Sequence, residues 1–150
     1  MKNTFIISAF LVCILSCCKK DTCNEEVMTT KHFESDYGCT NTKFTLQIDL
    51  NNDATIIRSK ESYDSKVSGP CHPEIDFSLY DLVIGKQSTS NSNDTILYDY
   101  RRTCPDKKMT LSVDLIQSET AQPATVVYHA IIPKLGDQES LNIKLTVRQK

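Results

Sequence analysis

Residues 125–132 read Thr-Val-Val-Tyr-His-Ala-Ile-Ile, and this stretch decides the fold class. It is rich in β-branched residues, and Pro133 follows it directly. A short, continuous apolar run of this kind is typical of a strand that is covered on both faces. We therefore expect a central strand here and a fold that is built around a sheet.

Much of the remaining chain alternates apolar and polar residues, which is the pattern of half-buried strands. The alternation is clear in residues 44–50, 95–102, 109–115 and 141–147. Further strands are predicted at residues 27–33, 54–58 and 80–85. Turns are predicted at residues 36–38, 51–53, 104–106 and 117–123, and a polar hairpin tip at residues 87–93.

One short helix is predicted at residues 60–67. Ser59 can cap its N-terminus, and Tyr63 and Val67 lie four residues apart on one face. These elements together predict a mainly β fold, an antiparallel sandwich or partly open barrel of about eight strands with one short helix. The length of 150 residues suits a single β-rich domain, expected over residues 27–150.

The charge pattern excludes one class of partner. The formal net charge is −2, and the lysines and arginines form no cluster that could neutralise several phosphates. Proteins that bind nucleic acid need such a basic patch. We therefore expect no nucleic-acid partner.

The N-terminus has the features of an export signal. Residues 5–15 form an apolar run behind Lys2. A run of about eleven residues is too short to cross a bilayer as a helix, which takes about 20, and it is typical of a secretory signal peptide. Residues 14–20 then read Ile-Leu-Ser-Cys-Cys-Lys-Lys, which resembles the lipobox of bacterial lipoproteins.

Two cysteines can serve as the lipid acceptor. With Cys18 as acceptor, Leu15 and Ser16 occupy their usual positions; with Cys17, Leu15 falls in a position that favours small residues. Cys18 is favoured, and Cys17 is the alternative. The sequence thus predicts a signal peptide over residues 1–17 and a tether over residues 18–26. The expected location is the bacterial outer membrane, facing the periplasm or the cell surface.

Beyond the acceptor the chain has four cysteines, an even number in an exported protein: Cys23, Cys39, Cys71 and Cys104. Outside the cytoplasm such cysteines are expected to form two disulfides. Four cysteines allow three pairings. We favour Cys23–Cys39 with Cys71–Cys104, because each bond then closes a moderate loop, worth roughly 3 to 4 kcal/mol in the chain-entropy model. The other two pairings stay open.

Residues 75–85 read Ile-Asp-Phe-Ser-Leu-Tyr-Asp-Leu-Val-Ile-Gly. This segment resembles the signature that opens the C-terminal domain of the protease-complex subunit PrcB, where an aliphatic-Asp-Phe-Ser segment enters a strand that ends in Gly. The resemblance extends over residues 54–147, but residues 87–93 lack the glycine-rich hairpin of that pattern, and the cysteines are this chain's own. It implies a small β-rich accessory domain without catalytic residues and, by analogy alone, a role beside a protease.

Each candidate catalytic or metal-binding residue also has a structural role open to it. The chain has no Gly-x-Ser-x-Gly elbow, and His129 lies inside an apolar strand, so we expect a packed, hydrogen-bonded histidine. Cys71, His72 and Cys104 could offer zinc ligands if the cysteines were reduced, but the compartment favours disulfides. We therefore expect no metal and no cofactor.

Asp76 lies between Ile75 and Phe77 at a strand entrance, where a carboxylate typically caps backbone N–H groups. A catalytic carboxylate pair would need a second acid, and Glu74 and Asp81 are candidates by sequence proximity alone.

Two further features concern the strand at residues 95–102. Asp94-Thr95-Ile96 resembles a bacterial O-glycosylation site, so Thr95 is a candidate for modification. Tyr98 and Tyr100 share one face and are expected to lie in the core, although exposed tyrosines can also bind ligands.

The expected function is that of a lipid-anchored envelope lipoprotein with a non-catalytic β domain that binds or supports another envelope protein. The first alternative is an accessory or inhibitor subunit of a protease complex. The second is an extracytoplasmic enzyme or metal binder that uses Cys71, His72, His129 or Asp76.

Overall fold

The computed structural model describes residues 25–104 and 108–150. These residues form nine strands and three short helices. The strands are β1 (Glu26–Met28), β2 (Gln47–Ile48), β3 (Ala54–Ile57), β4 (Val67–Ser68), β5 (Tyr80–Thr89), β6 (Asn93–Thr103), β7 (Lys108–Gln117), β8 (Ala124–Pro133) and β9 (Leu141–Gln149). The helices are α1 (Phe33–Tyr37), α2 (Thr42–Thr45) and α3 (Lys60–Lys66).

Two sheets pack face to face as a β-sandwich. The outer sheet has the strand order β1-β6-β7-β9, and the inner sheet has the order β3-β5-β8. A third, two-stranded ribbon is formed by β2 and β4. The predicted mainly β sandwich is thus confirmed. One pair departs from the antiparallel arrangement: β7 and β9 are parallel, because β8 crosses to the inner sheet between them.

The inner sheet separates two apolar cores. Along β8, Val126 and Tyr128 face the core between the two sheets, which we call the sandwich core. Their neighbours Val127 and Ile131 face the core between the inner sheet and the helices, which we call the helix-side core. The prediction that β8 is covered on both faces is confirmed. It is not the central strand of its sheet, however, because β5 lies between β3 and β8.

The predicted strand at residues 44–50 is wrong. Asn41 adopts a left-handed backbone (φ 54°) and starts α2, and only Gln47–Ile48 forms a strand. Thr42 and Leu46 are both buried at helical spacing, whereas Phe44 is 42% exposed. The alternating pattern therefore predicted a strand where the chain forms one helical turn. This turn places Thr42 in contact with His129 of β8.

The first predicted strand is also shorter than expected. β1 ends at Met28, and Phe33 begins α1 with its ring fully buried. The turn predicted at residues 36–38 is the end of this helix, where Gly38 has φ +72°. β1 begins at Glu26, inside the predicted tether, and pairs Glu26 with Arg102.

Residues 87–93 do not form a hairpin tip. β5 belongs to the inner sheet and β6 to the outer sheet, so this segment passes from one sheet to the other. Asn93 is buried there, and its side-chain amide donates to the carbonyls of Thr95 and Ile116, both at 3.1 Å. β3 forms an antiparallel pair with β5.

Other predictions are confirmed. α3 begins where expected, with Ser59 Oγ accepting from the Ser62 N–H at 3.2 Å, and Tyr63 and Val67 are buried. The alternating residues of β7 are all buried in the sandwich core: Met109, Leu111, Val113 and Leu115.

One disulfide joins Cys39 to Cys71, with their Cα atoms 5.8 Å apart. The favoured pairing of Cys23 with Cys39 and of Cys71 with Cys104 is therefore wrong. α1 places Cys39 in the helix-side core, and Cys71 packs against that same core, whereas Cys104 follows β6 of the outer sheet. Cys104 is also disulfide-bonded, and its partner lies outside the described residues.

Candidate functional site

A polar cluster, buried at Thr42 and His129 and exposed at Glu34, joins the helices to the inner sheet. It consists of Glu34 on α1, Thr42 on α2 and His129 on β8. His129 Nε2 lies 2.6 Å from Thr42 Oγ1 and 3.4 Å from Glu34 Oε2. Thr42 donates its hydroxyl proton and its backbone N–H to Glu34 Oε1. The cluster thus connects three elements that are remote in sequence.

The cluster has the residue types of a hydrolytic triad but not its arrangement. In a triad the acid contacts one ring nitrogen of the histidine, and the nucleophile contacts the other. Here Glu34 and Thr42 both meet Nε2 of His129, and Nδ1 has no hydrogen-bond partner. The Thr42 residue is also 0% exposed, so its hydroxyl does not face solvent. The arrangement supports a packing role.

The pKa of Glu34 reflects its place in the cluster. Partial burial opposes its charge, but hydrogen bonds from His129 and Thr42 outweigh burial and lower the pKa to about 2. Glu34 is therefore a carboxylate at neutral pH and remains an acceptor for both partners. A carboxylate with so low a pKa is a poor general base near neutral pH.

His32 and Tyr98 extend the cluster along β6. The His32 ring lies over the Tyr98 ring, with centroids 4.5 Å apart, and its Nδ1 is 3.3 Å from the carbonyl of His129. Tyr98 Oη accepts the backbone N–H of His129 at 3.0 Å. Burial lowers the pKa of His32 and raises the pKa of Tyr98. Both side chains are thus held uncharged at neutral pH.

An open cleft of about 550 Å³ lies above this cluster. Its rim includes Thr95, Leu97 and Lys43. Lys43 Nζ donates to the carbonyl of Asp94 at 2.7 Å and to that of Asn93 at 3.1 Å, which ties α2 to β6. Thr95 is exposed on this rim, within β6 and not on a loop tip. Its glycosylation stays a prediction.

Asp76 forms the local hydrogen bonds that a cap requires. Its Oδ1 accepts the backbone N–H of Ser78 at 2.9 Å and the Ser78 hydroxyl at 2.5 Å. These bonds lower the pKa of Asp76. The backbone N–H groups of Leu79 and Tyr80 both donate to the Asp76 carbonyl, so the turn delivers the chain into β5.

Asp81 has cationic neighbours and a backbone donor. Its carboxylate is fully buried, with Lys134 Nζ at 2.9 Å and Arg58 Nε at 3.9 Å. The backbone N–H of Leu135 also donates to it, at 3.1 Å. Asp81 therefore holds the residues that follow β8 against β5, which is a structural use of the charge.

The residues considered as zinc ligands are not brought together. Cys71 is bonded to Cys39 and offers no thiolate. His72 stacks on Tyr63, with centroids 4.1 Å apart, and its Nε2 lies 3.9 Å from Asp64. In the part of the chain that the structure describes, no group of three or more His, Cys, Asp or Glu residues could hold a metal ion.

Sequence reasoning missed Glu34, Thr42 and His32. His32 lies in a segment for which the pattern predicted a strand, whereas Glu34 and Thr42 lie in segments for which it predicted no helix or strand. Thr42 and His129 lie 87 residues apart, so their contact depends on how α2 packs on β8. The one available signal was the polar His129 within the apolar run at residues 125–132, since a buried imidazole needs a partner.

Cys17, Cys18 and Cys23 lie outside the described residues. Among the described residues, no helix is both long and apolar enough to cross a membrane. No protein-family model matches the chain, and neither a curated protein nor a solved structure matches it.

Proposed function

We propose that the protein is a lipid-anchored lipoprotein of the bacterial envelope whose β domain binds another envelope protein and catalyses no reaction. The observation that carries the anchor is the sequence of residues 14–20, where Leu15 and Ser16 precede Cys17 and Cys18 behind a short apolar run. The Cys39–Cys71 disulfide supports an oxidising compartment, because such bonds are rare in the cytosol.

The reactive side chains of the domain are bonded to each other, which supports a binding role over a catalytic one. Asp81 is enclosed by Lys134 and Arg58. Glu34 and Thr42 are occupied with His129, and Cys71 with Cys39. Groups that are already bonded to each other are poor candidates for chemistry on a substrate, whereas a rigid sandwich is a common scaffold for protein recognition.

Labelling with a radioactive fatty acid tests the anchor. We expect the label to be incorporated by the parent and by Cys17→Ala, and to be lost in Cys18→Ala, with the Cys18→Ala protein leaving the membrane fraction. If the label were lost only in Cys17→Ala, Cys17 and not Cys18 would be the lipid acceptor. Label retained when both cysteines are replaced would disprove the lipid anchor.

The binding role is tested by affinity capture from detergent-solubilised envelope. The acylated parent is the bait, and the Cys18→Ala protein is the control for the contribution of the anchor. We expect one envelope protein to be retained at constant stoichiometry. Retention of an endogenous peptidase would favour the alternative of a protease accessory or inhibitor, whose support is the segment of residues 75–85 that enters β5.

A catalytic or metal-binding function has less support in the site. It would use His129, whose Nδ1 is buried without a hydrogen-bond partner, or His72, whose ring stacks on Tyr63 of α3. An activity that is lost in His129→Ala while the fold is retained, or stoichiometric zinc in the purified protein, would establish it in place of the binding role.

A further inference from the structure

We propose that two copies of this chain associate edge to edge through β9, with Leu145 on the twofold axis, so that the outer sheet continues from one copy into the other. The inference does not depend on the lipid anchor or on the proposed binding of another protein.

β9 is the last strand of the outer sheet. It is nine residues long and pairs with β7 on one side. Within residues 25–104 and 108–150, no strand pairs with its other side. A long, unpaired strand edge presents backbone donors and acceptors and is a template for a further strand. The opposite edge strand, β1, has only three residues and is a weaker template.

The side chains of β9 leave this edge lightly protected. Edge strands are usually guarded by charges. Of the two charged side chains within β9, that of Arg148 is bound to Asp114 on β7 of the same chain. Lys144 is the remaining charge, and it points to the outer face together with Asn142 and Thr146. The edge therefore carries one unpaired charge among the described residues of β9.

The other face of β9 is apolar and open on one side. Leu141, Ile143 and Leu145 are half-buried and line a groove of about 230 Å³. Its other side is formed by Ala54 of β3, Tyr128 of β8 and the polar residues Asn52 and Asp53. Val147 continues this row and is 40% exposed. A strand added beside β9 would place its own apolar side chains next to this row and cover the open side of the groove.

The alternation of β9 limits how a second copy can pair with it. Directly opposed residues in an antiparallel pair point to the same face. The twofold axis must therefore pass through a residue of β9. An axis that passed between two residues would place each apolar residue of one copy opposite a polar residue of the other. Three axis positions pair most of the strand: Lys144, Leu145 and Thr146.

The charges select one of these three positions. An axis at Lys144 places this lysine opposite its own copy, and an axis at Thr146 places Lys144 opposite Arg148. Like charges directly opposite each other destabilise a sheet. An axis at Leu145 avoids both of these like-charge pairs. It gives the pairs Leu145–Leu145, Ile143–Val147, Lys144–Thr146 and Asn142–Arg148.

This self-complementarity is the reason to favour a second copy over an unrelated strand. On the inner face, Leu145 meets its own copy and Ile143 meets Val147, while Leu141 at the end of the strand lies opposite Gln149; each cation of β9 meets a neutral polar residue. The pairing also keeps Arg148 free to remain with Asp114 of its own chain.

Cysteine cross-linking of the full chain tests the register. Directly opposed residues have Cα atoms about 4.5 to 5.5 Å apart, which lies within the range for a disulfide. Leu145→Cys, Lys144→Cys and Thr146→Cys are oxidised separately in dilute detergent solution, with the parent as control for the native cysteines. We expect a covalent dimer for Leu145→Cys and no more than the parent background for the other two. Dimers at position 144 or 146, or at none of the three, would overturn the proposal.

A charge pair at an exposed position tests the same interface without introducing a cysteine. Thr146 is exposed and would lie opposite Lys144 of the second copy, twice by symmetry. We expect Thr146→Lys to weaken dimerisation roughly 2- to 30-fold and Thr146→Glu to strengthen it by a similar factor.

Adding Lys144→Glu to Thr146→Lys should restore the affinity of the parent. The measurement is the dimer dissociation constant of the full chain from sedimentation equilibrium. A parent that stays monomeric at high concentration would refute the proposal and leave the edge to a different partner. Equal dissociation constants for Thr146→Lys and Thr146→Glu would also refute it, and this result does not depend on whether Leu145→Cys folds.

Discussion

At the scale of single residues, Gly85 has the strictest steric requirement in the inner sheet. The ring of Tyr128 on the neighbouring strand lies across it, and a Cβ atom built on Gly85 would be 2.1 Å from Tyr128 Cζ. Both residues are buried, and a Cβ atom at Gly85 would force the Tyr128 ring out of its packed position. We expect Gly85→Ala to lower the free energy of unfolding by about 1 to 3 kcal/mol, as overpacked cores do. Urea denaturation measures this change.

Gly136 is the matched control for this substitution. It is exposed, and a Cβ atom there would be 3.6 Å from the nearest atom, a carboxylate oxygen of Glu139. We expect Gly136→Ala to change the free energy of unfolding by no more than about 0.5 kcal/mol. If the two alanine variants were equally stable, the contact between Tyr128 and Gly85 would be wrong.

Glu34 should make the stability of the protein depend on pH in an acidic window. Its pKa is about 2, against an ordinary value of 4.5, because bonds from His129 and Thr42 favour the charged form. A carboxyl group whose pKa is lower in the folded chain stabilises the fold above the unfolded pKa. That contribution is lost as the pH falls from about 4.5 towards 2. We expect the free energy of unfolding to decrease across this window.

Glu34 is not the only carboxylate that stabilises the fold in its charged form, since the pKa values of Asp36, Asp76 and Asp94 are also lowered by hydrogen bonds. The comparison with Glu34→Gln separates the effect of Glu34, because this variant keeps the size of the side chain but cannot ionise. We expect its unfolding free energy to decrease less steeply between pH 4.5 and 2 than that of the parent. Parallel pH profiles would show that Glu34 is not stabilised by His129 and Thr42.

At the scale of elements, the long strands could be predicted from the sequence, but the short helices α1 and α2 could not. β7 alternates over its whole length, and its buried residues have no competing helical pattern. In the segment 42–48, Thr42 and Leu46 satisfy helical spacing while Leu46 and Ile48 satisfy strand spacing. Packing decides between the two, because the helical turn lets Thr42 reach His129. Local pattern carries no information on that contact.

The candidate site was less predictable than the fold for the same reason. His129 could be singled out as a polar residue in an apolar strand, but its partners come from two elements that were not foreseen. Contacts between residues 8 and 87 positions apart, as in the bonds of Thr42 to Glu34 and to His129, follow from tertiary packing. The burial of Asp81 was likewise hidden, because its partner Lys134 follows another strand.

The Cys39–Cys71 disulfide links the segment after α1 covalently to the loop that follows β4. It closes a loop with a sequence separation of 32, and the chain-entropy model rates such a loop at roughly 3 to 4 kcal/mol. We expect the double variant Cys39→Ser, Cys71→Ser to lose about this much unfolding free energy. Peptide mapping without reduction should recover the peptides of Cys39 and Cys71 joined to each other. A peptide that joins Cys71 to Cys104 would contradict the structure.

At the scale of the whole molecule, one three-stranded sheet forms a wall of both cores. Val126 faces the sandwich core and Val127 the helix-side core, although the two residues are neighbours on β8. Loss of either core would expose one face of the inner sheet, so neither core should persist without the other. We therefore expect the described domain to unfold as a single cooperative unit.

Val126→Ala and Val127→Ala test this coupling, since each removes the same two methyl groups from a different core. Both valines are buried, and we expect each variant to lower the free energy of unfolding by roughly 1 to 3 kcal/mol. Hydrogen exchange measured residue by residue is the discriminating experiment. In a cooperative domain, either substitution lowers the protection of the most stable amides of β7 by the same free energy as that of the most stable amides of α3. If Val127→Ala reduced protection only among the helices and left β7 unchanged, the helix layer would open by itself, and the inner sheet would then depend on the sandwich core alone.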